Sequence, residues 1–176
     1  MGIIRKPPPA KLFVAVTAAD LKTWEEIAER LIEKFSAVDS SSGWFDFRFT
    51  DYYQAEMGAA LQKSFFSFTK LIPPDTLPDV KNFTNSLEQK FAIEGRRVIN
   101  LDPGYLDAAK VVLATTKDYS HRLYLGKGIY GDVHLTFRDH RFQNNPWTYP
   151  DYQQKHVHLF FEKLRQRYFE QLKKAP

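Results

Sequence analysis

The chain has 176 residues, 43% hydrophobic and 26% charged, with ten prolines and no cysteine. That length suits one domain, and the composition is that of a globular chain rather than a disordered, collagen-like or coiled-coil one. The missing cysteines remove disulfides, thiolate metal sites, iron–sulfur clusters and cysteine nucleophiles. The net charge of +4 lies wholly in the last 22 residues, where Lys155, Lys163, Arg165, Arg167, Lys173 and Lys174 meet only Glu162 and Glu170. Cations in a helix's last turns suit its dipole, so this charge predicts a solvated helix end rather than a broadly basic surface.

The longest uninterrupted apolar run is Leu12–Val16, far short of the ~20 residues a membrane span needs. The start, with Arg5, Lys6 and Pro7 to Pro9, has neither a signal-peptide core nor a myristoylation pattern. A cytoplasmic protein without a membrane partner is expected.

In chain order, Lys11 to Thr17 predicts a buried strand. A helix follows, capped by Thr17 with Asp20, in which Leu21, Trp24, Ile27, Ala28, Leu31, Ile32 and Phe35 recur at helical spacing. Ser36 to Gly43 reads as a polar loop. Trp44 to Tyr53 alternates, with Phe45, Phe47 and Phe49 on one face, and Lys63 to Ile72 is a Phe-rich strand. Prolines 73, 74 and 78 introduce a second helix carrying Val80, Phe83, Leu87 and Phe91, and Arg97 to Leu101 is a fourth strand. The order βαββαβ predicts an α+β fold with a ferredoxin-like split βαβ core at residues 11–101.

Residues 102–176 read as an extension within the same single domain, 1–176. Asp107 to Thr115 is a short helix or a strand. Arg122 to Leu125 and Ile129 to Phe137 form a β-hairpin around Gly126-Lys127-Gly128, and Arg141 to Asp151 is a polar connection. A long C-terminal helix follows, with Val157, Phe160, Phe161, Leu164, Tyr168 and Leu172 on one side.

Gly126 to Val133 fits two glycine-rich phosphate patterns literally. The dinucleotide pattern needs a helix after the glycines, but Tyr130, Val133, Leu135 and Phe137 are strand-like. The kinase pattern lacks its lobe and any Asp-Phe-Gly, so a tight turn or a ligand flap remains. Thr115-Thr116-Lys117-Asp118 approximates a guanine-specificity element, yet no P-loop is present, which excludes GTP hydrolysis by that mechanism.

Three polar clusters interrupt the apolar strands: Thr50 to Tyr53 with Glu56, Asn100 to Tyr105, and Thr115 to Arg122 with Tyr124. Polar groups at strand ends suit ligand contacts because a rigid sheet holds them while loops stay open. Asp51, Asp102 and His121 are the candidate catalytic groups, the two carboxylates as general bases or cation ligands. Tyr52, Lys63, Asn100, Tyr105, Thr116, Lys117, Arg122, Tyr124, Gly126, Gly128 and Tyr130 are candidate ligand contacts, with Lys63, Lys117, His121 and Arg122 suited to an anion. Against this, Asp102-Pro103-Gly104 is also a good turn and Asp118 to Ser120 a good loop. His156 and His158 are two apart on a helix and cannot face one metal, so no metal site and no particular cofactor is predicted.

The segments F-T-D-Y-Y at Phe49–Tyr53, N-L-D-P-G-Y at Asn100–Tyr105 and L-A-T-T-K-D-Y-S-H-R-L-Y-L at Leu113–Leu125 resemble a prokaryotic family of similar length, domain of unknown function family 4416. The resemblance runs from the first strand to the final helix. Members are sometimes labelled GTP-binding, and the family brings no catalytic roles with it.

The expected function is binding of a small anionic or nucleotide-like ligand at strand ends. Two alternatives stand beside it. One is RNA binding through the sheet face, which requires exposed Phe13 and Phe65, together with the basic last helix. The other is a non-enzymatic, oligomeric interaction domain that uses the 27 aromatic residues at an interface.

Overall fold

The computed structural model describes residues 2–174. The first strand forms as β1 (Ala10–Ala18), buried at every position. Helix α1 (Leu21–Lys34) is capped by Asp20 alone, whose carboxylate accepts the Lys22 and Thr23 N–H groups at 3.1 and 3.4 Å. Thr17 instead belongs to β1. Trp24, Ile27 and Leu31 are buried on the inner side of α1, each worth roughly 1.5–3 kcal/mol relative to exposure.

The expected polar loop contains a short strand, β2 (Val38–Ser41), and the long alternating strand shrinks to β3 (Phe45–Phe47) followed by one turn of helix, α2 (Gln54–Met57). Next come β4 (Leu61–Ile72), a 3-10 turn at Pro74–Thr76, and α3 (Leu77–Lys90). The fourth strand, β5 (Ile99–Leu106), runs straight through Asp102-Pro103-Gly104, so these residues are not a turn. A division after Leu101 therefore falls inside a strand.

The extension is more than a hairpin. It supplies β6 (Lys110–Thr115), β7 (Arg122–Gly126), β8 (Ile129–Arg138) and β9 (Arg141–Asn144) before α4 (Lys155–Lys174). The β-branched pair in β6 settles that segment as strand. Left-handed Asp139 and His140 (φ 50° and 62°) turn β8 into β9, a hairpin geometry usually signalled by Asn-Gly.

The nine strands of the described residues join one antiparallel sheet in the order β2-β4-β1-β5-β6-β8-β7, with β3 also on β4 and β9 on β8. The period of two along β1 divides the core between the two faces. Leu12, Val14, Val16 and Ala18 pack beneath α1 and α3, whereas Phe13 and Ala15 pack with Phe65 beneath α4. Phe161 of α4 meets the rings of Phe13 and Phe65 at 5.1 and 5.4 Å. Phe13 and Phe65 are both 0% exposed, so the face that the RNA reading needed is covered.

The basic helix is also less solvated than its charge suggests. The Arg165 guanidinium lies 3.5 Å from the Phe137 ring centroid, and Arg167 donates to the Asp39 carbonyl at 2.6 Å. Among the described residues, no helix is long and apolar enough to cross a membrane.

Candidate functional site

The sheet splits beside β5. β1 pairs with β5 along its whole length, but β6 pairs only with Gly104, Tyr105 and Leu106. Antiparallel residues alternate in the direction of their backbone groups, so Leu101 and Pro103 share a parity. Pro103 has no N–H to offer a neighbouring strand. The Leu101 N–H and C=O, left without β6, go to α3 side chains. Glu88 Oε1 accepts the N–H at 2.6 Å, and the Lys81 ammonium donates to the C=O at 2.9 Å. Gly104 is required where the strands rejoin, because a Cβ there would stand 2.4 Å from the Val112 carbonyl oxygen and 2.5 Å from Phe13 Cζ.

The split opens into a cavity of about 600 Å³, within the ~300–1,000 Å³ range of ligand pockets. Its lining includes the aromatic rings of Phe47, Phe49, Tyr52 and Tyr53, Asn100 and Asp102 of β5, Leu113 to Lys117 at the end of β6, and Lys81, Asn85 and Glu88 of α3. Lys63 of β4, Arg97 and the Tyr149–Asp151 segment complete the lining.

Most of the charges are paired. Lys81 lies 3.0 Å from Asp102 Oδ1, Asn100 donates to Asp102 Oδ2 at 2.7 Å, and Arg97 donates to Asn100 Oδ1 at 3.2 Å and to Glu56 at 2.6 Å. Lys63 stands 2.6 Å from Asp151. Lys117 differs: it has no ion-pair partner among the described residues, and its ammonium sits 4.3 Å from the Tyr52 ring centroid.

Burial pushes the Asp102 carboxyl up, but the ammonium charges of Lys81 and Lys63 and the bonds from Lys81 and Asn100 outweigh it and hold it below the usual carboxylate range. Burial lifts Glu88 to about 7 despite the nearby Lys81 charge and the Leu101 N–H. Of these two carboxyls, Asp102 is held ionised and Glu88 titrates close to neutral pH.

Behind the cavity, fully buried Asp132 gathers three cationic or imidazole groups. Arg122 Nε donates to it at 2.9 Å, His134 Nδ1 lies at 3.2 Å, and His121 Nε2 at 3.4 Å. His134 Nε2 accepts the Tyr149 N–H at 3.1 Å, so the proton sits on Nδ1 and points at Asp132. Both ring nitrogens are occupied, which makes His134 a brace rather than a base. Arg122 also donates to the Lys117 carbonyl and the Tyr149 hydroxyl, each at 3.0 Å. It therefore fixes two parts of the cavity wall without lining it.

Of the residues singled out in the sequence, the cavity brings together Tyr52, Lys63, Asn100, Asp102, Thr116 and Lys117. His121 and Arg122 lie in the supporting cluster. Asp51 lines a separate depression with Asp46, Arg48 and Gln54. Tyr105 packs beside Val112 and Leu77. Tyr124, Gly126, Gly128 and Tyr130 belong to the β7–β8 turn, which Lys127 ties to Asp79 of α3 at 2.6 Å, and they do not line the cavity.

Sequence reasoning missed Lys81, Glu88, Arg97, Asp132, Tyr149 and Asp151. Each of them reads locally as an ordinary polar side chain on a helix, strand or connecting segment, because its reason for burial lies elsewhere in the chain. Among the described residues, no cluster of three or more His, Asp or Glu side chains is arranged to hold a metal ion.

A nine-stranded antiparallel sheet, layered by helices on both faces and split around a polar cavity, defines the class as α+β. The chain belongs to the family described as domain of unknown function (DUF4416), whose family model matches residues 8–168. No curated protein and no solved structure matches it.

Proposed function

We propose that the split in the sheet is a binding pocket for a small anionic, nucleotide-like ligand. The observation that carries this reading is Lys117, an exposed ammonium at the cavity with an aromatic ring beneath it and no carboxylate partner. The lining holds Lys63, Lys81, Arg97 and Lys117 against Glu88, Asp102 and Asp151, and Glu88 is partly neutral near pH 7. An anion at Lys117 gains a charge-assisted bond without breaking an existing pair. Phe47, Phe49, Tyr52 and Tyr53 offer a planar ring an apolar wall.

A thermal-shift screen with nucleotides, sugar phosphates and carboxylates tests it. A ligand at 100 times its Kd adds about 2.7 kcal/mol of stability, and a screen in which no anion raises Tm counts against the pocket. The order β2-β4-β1-β5, with α1 and α3 on one face, supports reading residues 10–106 as a ferredoxin-like core beneath this site. A second reading, self-association, draws on β7, an outer strand of the sheet that exposes Leu123 and Tyr124. A strictly monomeric mass at high concentration would remove it.

A further inference from the structure

Lys63 and Asp151 are the most enclosed ion pair of the cavity wall, 4% and 2% exposed. The ammonium stands 2.6 Å from Asp151 Oδ2 in a contact ion pair, its one oxygen neighbour among the described residues, and no hydroxyl, amide or backbone N–H donates to that oxygen. Phe47, Phe65 and Tyr152 hold the ammonium at 5.0, 5.6 and 5.3 Å from their ring centroids. These rings attract its charge but do not replace oxygen acceptors. The pair thus meets its own charge, but N–H bonds of the ammonium and a lone pair of Oδ2 have no further partner in the wall of an open cavity. Buried polar groups are rarely left this way.

One small group satisfies both. A hydroxyl donates its proton to Asp151 Oδ2 and accepts from Lys63 Nζ. A phosphate or carboxylate in the same place would accept from Lys63 but press against Asp151, with the Asp102 carboxylate also within the reach of the Lys63 charge. An ammonium would suit Asp151 and repel Lys63. Charge balance therefore selects a neutral hydroxyl beside this pair, and Lys117, which has no ion-pair partner among the described residues, selects the anion.

We propose that the ligand is a hydroxylated phosphate, a sugar phosphate or the ribose phosphate of a nucleotide, with a hydroxyl set beside the Lys63–Asp151 pair and bonded to both, and its phosphate on Lys117. This rests on the anion-pocket reading and adds the chemistry of the ligand's other end.

Calorimetric titration of the full chain separates the two claims. The probes are glycerol phosphate, ribose phosphate, glucose phosphate and adenosine monophosphate, with pentyl phosphate as an anion lacking hydroxyls and ribitol as a polyol lacking charge. The best hydroxylated phosphate should bind at least about tenfold tighter than pentyl phosphate, because a site built for a hydroxyl rejects an analogue without one. Asp151→Asn should shrink that ratio, and Lys117→Ala should weaken every phosphate alike. Equal affinity for pentyl phosphate overturns the hydroxyl site and leaves the anion pocket standing. Ribitol binding as tightly as any phosphate overturns the anion pocket, and binding by none of the probes overturns both. The native-chain comparison decides the matter even if Asp151→Asn fails to fold.

Discussion

The Lys117 ammonium stands 4.3 Å from the centroid of the Tyr52 ring, joining the residues after β6 to the segment between β3 and α2 across the cavity. The hydrogen bond and charge that Lys117 offers hold the Tyr52 phenol below the ordinary tyrosine range. Lys117→Ala should therefore move one tyrosine upward in an ultraviolet phenolate titration. An unchanged titration would show that the two side chains do not meet in solution.

Glu88 makes stability fall with rising pH. Burial lifts its carboxyl from 4.5 in the unfolded chain to about 7 in the folded one. Between those values the folded protein holds the extra proton, so stability is lost as pH climbs through the window and stays lower above it. The loss is roughly 3 kcal/mol, at ~1.4 kcal/mol per unit. Glu88→Gln keeps an oxygen for the Leu101 N–H and removes the charge. Urea denaturation should find this variant more stable than the native chain at about pH 8 and close to it at about pH 4.

Asp132 has the opposite sign. Burial alone would raise its carboxyl, but His134 and Arg122 outweigh burial and hold it below 3.8. Its contribution is complete above that value and disappears as pH falls through the depressed one. Asp132→Ala leaves the Arg122 side chain, 4% exposed, without a counter-charge. The expected cost is about 3–5 kcal/mol, read as a lowered urea midpoint.

Gly104→Ala places a Cβ 2.4 Å from a backbone oxygen and 2.5 Å from the Phe13 ring. Neither neighbour is the free end of a flexible chain. Overpacking of this kind costs about 1–3 kcal/mol, so Tm should fall by several degrees. An unchanged Tm would mean that β5 and β6 do not close as described.

Local periodicity was enough for β1, α1 and α4, whose apolar spacing fixes one buried side without distant help. It failed where a residue's reason lies elsewhere in the chain. Asp102-Pro103-Gly104 has turn chemistry, but Gly104 makes room for Phe13 and Pro103 sits where the ladder to β6 is open. Lys81 and Glu88 look like a solvated helix side; they are buried where Leu101, paired with β1, has no β6 partner on its other edge.

Lys63, Asn100 and Lys117 were visible as polar interruptions of apolar strands, and the cavity gathers them. Asp151 and Arg97 carried no such contrast. The β7–β8 glycines were visible for their spacing but serve as a turn, since two of them have the positive φ that a tight reversal demands.

The most direct test of the pocket is the Kd of the tightest-binding phosphate for the native chain and for Lys117→Ala, measured by calorimetry alongside Tm. Lys117 is exposed, so its loss should leave stability within about 0.5 kcal/mol. Loss of Lys117 should weaken Kd about tenfold at unchanged Tm, the size of one charge-assisted contact. Equal affinity for the two proteins would contradict the anion pocket.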